Sequence, residues 1–247
     1  MRRRLVLVLG LCLSPEPAAA DERVDAALHR LVNAKDWRQE QAAVDELAAL
    51  GEKATKAVRR AAERHENSKV RLACYHLLTD AFSDDKRSML TVARSGLRDS
   101  DQEVRYLCAF SLGTHRAYAA RRRLQAVLDD NQADERTRLA AAKSLAELGE
   151  PDGLKRLFWA AGDDSYMSRY MASLGFKALT GKALEDFEGY QYQEGAFVSG
   201  GVEAKIITEA LDSAEVRAKR FSALVAYCKW LKKERPELYQ SYLSPGF

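Results

Sequence analysis

The sequence predicts an all-α fold, a solenoid of about five helical hairpins closed by a C-terminal helical cap. Three observations predict it. A phrase made of an acidic turn, a Val-Arg-like pair and a helix recurs every 31 to 34 residues. Inside that phrase one small and one large apolar column keep their character in every copy. Between the copies lie shorter runs with apolar residues at helical spacing, so each period holds two helices.

The copies follow in order along the chain. "DWRQEQAAVDELAALG" is an early, degenerate one with Gln39-Glu40 at the paired positions. "ENSKVRLACYHLL" supplies Val70-Arg71, and "DSDQEVRYLCAFSLG" supplies Val104-Arg105. "ADERTRLAAAKSLAELG" offers Thr137-Arg138, and "DDSYMSRYMASLGFKAL" offers Ser168-Arg169. Four residues after the Val position stand Ala43, Cys74, Cys108, Ala141 and Ala172; eight after it stand Leu47, Leu78, Leu112, Leu145 and Phe176. These positions fall within about 80° of helical arc, so each phrase buries one face with a fixed large and small pattern. The small column lets helices of successive repeats approach closely. The runs "KATKAVRRAA", "SMLTVARSGL", "ARRRLQAVL" and "DGLKRLFWAA" are the first helices of the hairpins that end in these phrases. Gly51, Gly113 and Gly149 are expected to stop the preceding helices, and Asp101 and Asp134, three before the Val position, to cap the second ones.

The N-terminus carries a different signal. Arg2, Arg3 and Arg4 precede the apolar run Leu5 to Leu13, and Ala18-Ala19-Ala20 forms an Ala-x-Ala site before Asp21. This is the tripartite pattern of a secretory signal peptide over residues 1–20, with an apolar run too short to span a bilayer. Pro15 and Pro17 break any helix continuing from it. The expected location is therefore exported, periplasmic or extracellular. "LGLC" offers lipid anchoring at Cys12 as the alternative, although Leu11 stands where a lipobox takes a small residue.

Composition narrows the functional classes. The chain has 247 residues, 47% apolar and 30% charged, which suits a folded domain with a real core. Loss of residues 1–20 would lower the formal charge from +3 to +1, so no global field points to nucleic acid or anionic lipid. No later apolar run reaches the length of a membrane span. Cys74, Cys108 and Cys228 remain after such processing, an odd number that leaves at least one free thiol. Cys74 and Cys108 fall in one column of adjacent repeats, too far apart for a disulfide, and read as small core residues. His29, His65, His76 and His115 show no ligand spacing, "GAFVSGG" (195–201) lacks the Lys-Ser/Thr of a phosphate loop, and no catalytic triad is recognisable, so no cofactor and no metal are expected. Arg121-Arg122-Arg123 reads as a solvated basic run on a first helix.

Asp-x-x-Val-Arg followed by small residues and Leu-Gly resembles a HEAT-like repeat, of the short kind also found in bilin-lyase relatives. The resemblance covers about 24–182 and implies a right-handed αα superhelix. "ALTGK" (178–182), "DFEGY" (186–190) and a later helix with Trp230 are similar to the tail of exported bacterial HEAT-repeat proteins, although "QYQEGAFVSGGVEAK" inserts an extra loop. The expected division is a signal peptide at 1–20, the solenoid at 21–182, and a C-terminal loop and helical cap at 183–247. The cap is expected as helices near 203–211 and 213–235, after an aromatic loop with Phe187, Tyr190, Tyr192 and Phe197. The stripe Phe221, Leu224, Val225, Cys228 and Leu231 is expected to seal the solenoid's open end.

For Arg71, Arg105, Arg138 and Arg169 the resemblance implies a structural ladder, each Arg pairing with an acidic turn residue of a neighbouring repeat. An anion-binding stripe is the competing role. Two residues after the Val position stand Leu72, Tyr106, Leu139 and Tyr170, about 200° from the first core position, with Tyr75 and Phe110 nearby. On a superhelix this stripe falls on the concave surface, so Leu72, Tyr106, Phe110, Leu139 and Tyr170 are the expected partner-binding residues, against lateral helix packing or cover by the C-terminal region as the alternatives. The function read from the sequence is a non-catalytic protein-interaction scaffold whose partner is a protein. A lyase-like enzyme of the bilin-lyase relatives and a structural subunit of an envelope complex are the competing readings.

Overall fold

The computed structural model describes residues 17–163, 165–187 and 214–243. The described residues form five antiparallel helical hairpins and a further long helix, with no strand. The hairpins are α1 (Pro17–Asn33) with α2 (Trp37–Ala49), α3 (Glu52–Arg64) with α4 (Ser68–Thr79), and α5 (Lys86–Arg94) with α6 (Gln102–Thr114). Then come α7 (Arg121–Asp129) with α8 (Glu135–Glu147), and α9 (Leu154–Ala161) with α10 (Tyr166–Thr180). The fold is an all-α solenoid. Every second helix packs on the second helix of the next hairpin, most intimately along α6, α8 and α10.

Local chemistry sets the boundaries. Each second helix starts at a residue whose side chain accepts from the first-turn amides: Asp36, Asn67, Asp101, Asp134 and Ser165. Among the first helices, α3, α7 and α9 lack such a side-chain cap. α1 opens on Pro17, a residue suited to the first helical position, so the expected processing site lies in its first turn. Gly149 and Gly181 adopt positive φ just after α8 and α10.

Gly113 departs from its expected role. It lies inside α6, and the turn after that helix passes through Arg116 at φ 50° instead. An added Cβ at Gly113 would come within 2.5 Å of Ser144 Cα, so the glycine is there to let α6 and α8 touch.

The two columns form the core. Ala43, Cys74, Cys108, Ala141 and Ala172 are buried, as are Leu47, Leu78, Leu112, Leu145 and Phe176. Cys74 and Cys108 are free thiols, and burial pushes the Cys74 thiol up to about 12 and Cys108 well above its ordinary value. Both are poor nucleophiles where they stand.

The long helix α11 (Ala214–Glu234) closes on the last hairpin. Its buried face is Ala223, Leu224, Tyr227 and Leu231; Phe221 and Val225, expected in the sealing stripe, are exposed at 69% and 37%. The Tyr227 ring lies 4.8 Å from Phe176 and 5.4 Å from Phe187, and its hydroxyl is 3.1 Å from Thr180 Oγ1. A final turn, 236–243, buries Leu238 and Leu243. Residues 1–16 of the expected signal peptide with Cys12, the expected aromatic loop at Tyr190, Tyr192 and Phe197, and the helix expected near 203–211 lie outside the described residues.

Candidate functional site

The second helices present three neighbouring columns, at two, six and ten residues after the Val position. On α6 these are Tyr106, Phe110 and Thr114; on α8 they are Leu139, Lys143 and Glu147; on α10 the first two are Tyr170 and Leu174. The site grows from contacts between adjacent columns. Tyr106 and Phe110, one turn apart, have ring centroids 6.1 Å apart. The Arg136 guanidinium lies 3.7 Å from the Tyr106 ring centroid while donating to Glu103 at 2.8 and 2.9 Å. Lys143 Nζ lies 3.7 Å from the Phe110 ring. Arg136 and Lys143 of α8 therefore each sit on an aromatic face of α6, a geometry that favours both partners. On α10, Tyr166 and Tyr170 stack with centroids 6.3 Å apart.

Lys143 anchors this arrangement from beneath. It is 1% exposed, donates to Phe110 O at 3.2 Å and to Thr114 Oγ1 at 2.9 Å, and forms an ion pair with Glu147 Oε2 at 2.8 Å. Burial lowers the Lys143 ammonium and raises the Glu147 carboxyl, and their mutual attraction opposes both shifts. Beside it, the Ser144 hydroxyl donates to Ala109 O at 2.6 Å. Burial raises the Tyr170 phenol above its ordinary value, and Tyr166, Glu147 and Tyr106 add to that shift.

Of the expected stripe, Tyr106, Phe110 and Tyr170 come together on this face, half-buried, and Leu72 is half-buried on α4. Leu139 does not belong on an accessible stripe. It is 2% exposed because α8 is enclosed by second helices on both sides and by α7 and α9. Sequence reasoning passed over Lys143. The signal was present, since Lys143 falls in the column of Phe110 one repeat later.

The arginines sit in the first turns of the same helices, where they close the turns that precede them. Arg71 donates through Nη1 to His65 O and Glu66 O, and grips Asp99 through Nε and Nη2 at 2.8 and 2.7 Å. Its carboxylate partner is Asp99 rather than Asp101, whose side chain is engaged in capping α6. Arg105 repeats the pattern with Asp99 O, Ser100 O and, at 3.4 Å, Asp134. Arg138 instead turns to Leu128 O, Asn131 and Glu135, and Arg169 donates to Asp163 O at 2.9 Å. Arg71 and Arg105 thus link their own turn to the next one, as a planar fork can.

Among the described residues no group of His, Cys, Asp and Glu could hold a metal ion, and no helix is long and apolar enough to cross a membrane. No curated protein matches the chain. Residues 90–174, from within α5 into α10, match the family model of HEAT repeats. With hairpins stacked at that period and columns that recur on both sides of the matched segment, the fold is that of a HEAT-like all-α solenoid.

Proposed function

We propose that the chain is an exported, non-catalytic scaffold that holds a protein partner on the face formed by α6, α8 and α10. The observation that carries the reading is the aromatic and cationic cluster of Tyr106, Phe110, Arg136 and Tyr170 on a contiguous helical face. Partly buried Tyr and Arg groups held rigidly by neighbours are the residue types that dominate protein interfaces. HEAT repeats generally mediate protein interaction, which agrees with it. Export rests on the N-terminal pattern of residues 1–20, and the absence of catalysis on the lack of a recognisable constellation in the sequence.

Crosslinking of the tagged protein in its native envelope, followed by mass spectrometry, tests both parts. The mature chain is expected to begin at Asp21 and to crosslink to a defined protein. The double change Tyr106→Ser/Tyr170→Ser is expected to retain the helical circular dichroism and to lose that crosslink. A folded double variant that still captures the same partner would overturn the assignment of this face, and a mature chain beginning at Met1 would overturn export.

A further inference from the structure

We infer that the groove between α1 and α3 docks an acidic, aliphatic segment of a protein partner, an assignment that rests on the scaffold reading above and names its partner's chemistry. Lys53, Lys56, Arg60 and Arg64 recur at helical spacing on α3, and all four side chains are exposed. None makes an ion pair or hydrogen bond with another described residue, whereas their neighbour Arg59 is held by Asp85 at 2.8 Å. Some exposed arginines elsewhere do meet a carboxylate of another repeat, as Arg121 meets Glu150 and Arg136 meets Glu103. What sets the α3 cations apart is that four lie together on one helix face. Like charges one turn apart oppose the helix that carries them, and a bound anionic chain relieves that opposition.

The cations rim a groove of about 830 Å³ that reaches from α1 across α3 to Thr91 of α5. Val24 and Leu28 of α1, with Ala57 and Ala61 of α3, contribute apolar surface to it. Alanine at those α3 positions leaves the space open. Asp25 and Glu63 also line it, and Glu63 accepts from the Ser95 hydroxyl at 3.2 Å.

The shape selects the class of polyanion. Among the described lining residues there is no Phe, Tyr or Trp, and the one ring is the His65 imidazole, which accepts from the Asn67 amide. A single-stranded nucleic acid therefore has no row of faces on which to stack successive bases. The apolar groups lie in the groove rather than projecting from it, the reverse of a surface that inserts into a bilayer. A carboxylate-bearing chain with small aliphatic side chains satisfies both rim and floor. Lys53 to Arg64 spans about 16 Å along the axis, so three turns of an acidic helix can follow the stripe.

The test uses the full-length processed protein and a labelled peptide of about fourteen residues containing Glu, Leu and Ala, with Glu at every third or fourth position. Its Gln counterpart, phosphatidylglycerol vesicles and an oligothymidylate serve as comparison probes. The Glu peptide is expected to bind at least about tenfold tighter than the Gln peptide and to weaken as salt rises. Lys53→Gln/Lys56→Gln/Arg60→Gln/Arg64→Gln is expected to weaken it at least about tenfold with unchanged circular dichroism, and the matching Glu variant to abolish it. Should the Glu variant not fold, the Gln variant decides. Equal binding of the two peptides, insensitivity to the substitutions, or retention of the vesicles or oligonucleotide in place of the peptide would overturn the assignment. Peptide failure with crosslinking through Tyr106 and Tyr170 intact overturns the groove and leaves the scaffold reading standing.

Discussion

Cys108 lies where α6 meets the turn 96–98, fully buried, with its sulfur against the backbone of Gly96. A Cβ added at Gly96 would stand 2.2 Å from that sulfur and 3.0 Å from the Tyr75 ring. No spare volume exists on that side. Cys108→Leu is therefore expected to destabilise by about 1–3 kcal/mol through overpacking, while Cys108→Ala, the residue used at this position in three other repeats, should shift the melting midpoint by much less. Equal shifts from the two substitutions would show that the column is not close-packed. Lys143 illustrates the opposite residue-scale problem, a charge placed in the core. Its carboxylate, hydroxyl and carbonyl partners and the Phe110 face together replace the water it gives up.

At the scale of an element, the second helices are held at their N-termini by side chains that also reach across repeats. Asp101 accepts from the Glu103 and Val104 amides at 2.9 and 3.3 Å, and the Ser68 hydroxyl of α4, foremost among the causes, holds its carboxyl below the usual carboxylate range. A carboxyl depressed in the folded state contributes stability that is present above its unfolded pKa and is lost as pH falls through the folded value. Asp101→Ala is expected to cost about 1 kcal/mol at neutral pH, and thermal melts of the variant should depend less on pH in the acid range than those of the parent chain. An unchanged acid dependence would mean that the carboxylate is not what the helix start uses. The helix-forming part of this scheme was legible in the sequence, because a cap and an apolar column are local properties of one chain segment. The inter-repeat part was not. Whether Arg71 meets Asp99 or Asp101, whether Gly113 ends α6 or faces Ser144, and whether Leu139 is covered all depend on the angle and distance between neighbouring hairpins, which no single phrase encodes.

Among the described residues the contacts are nearly one-dimensional: each hairpin touches its neighbours, and α11 touches the last hairpin through Tyr227 and Phe176. Stability in such a stack is a sum of hairpin and interface contributions, so damage at one end stays near that end. Tyr227 is the residue on which this can be tested. It is fully buried at the last interface, between Phe176 and Phe187, with its hydroxyl on Thr180, while Arg235 donates to Leu179 O nearby. Burial pushes its phenol well above the ordinary range, and the Thr180 hydrogen bond opposes that shift. Tyr227→Ala removes a large ring and leaves a cavity, an effect of about 3–5 kcal/mol at that interface. Hydrogen exchange should then show faster exchange in α10 and α11, with protection in α4 and α6 little changed. Uniform loss of protection from α4 to α11 would instead show that the stack opens as a single unit, and no change at all would show that α11 does not hold the terminal hairpin.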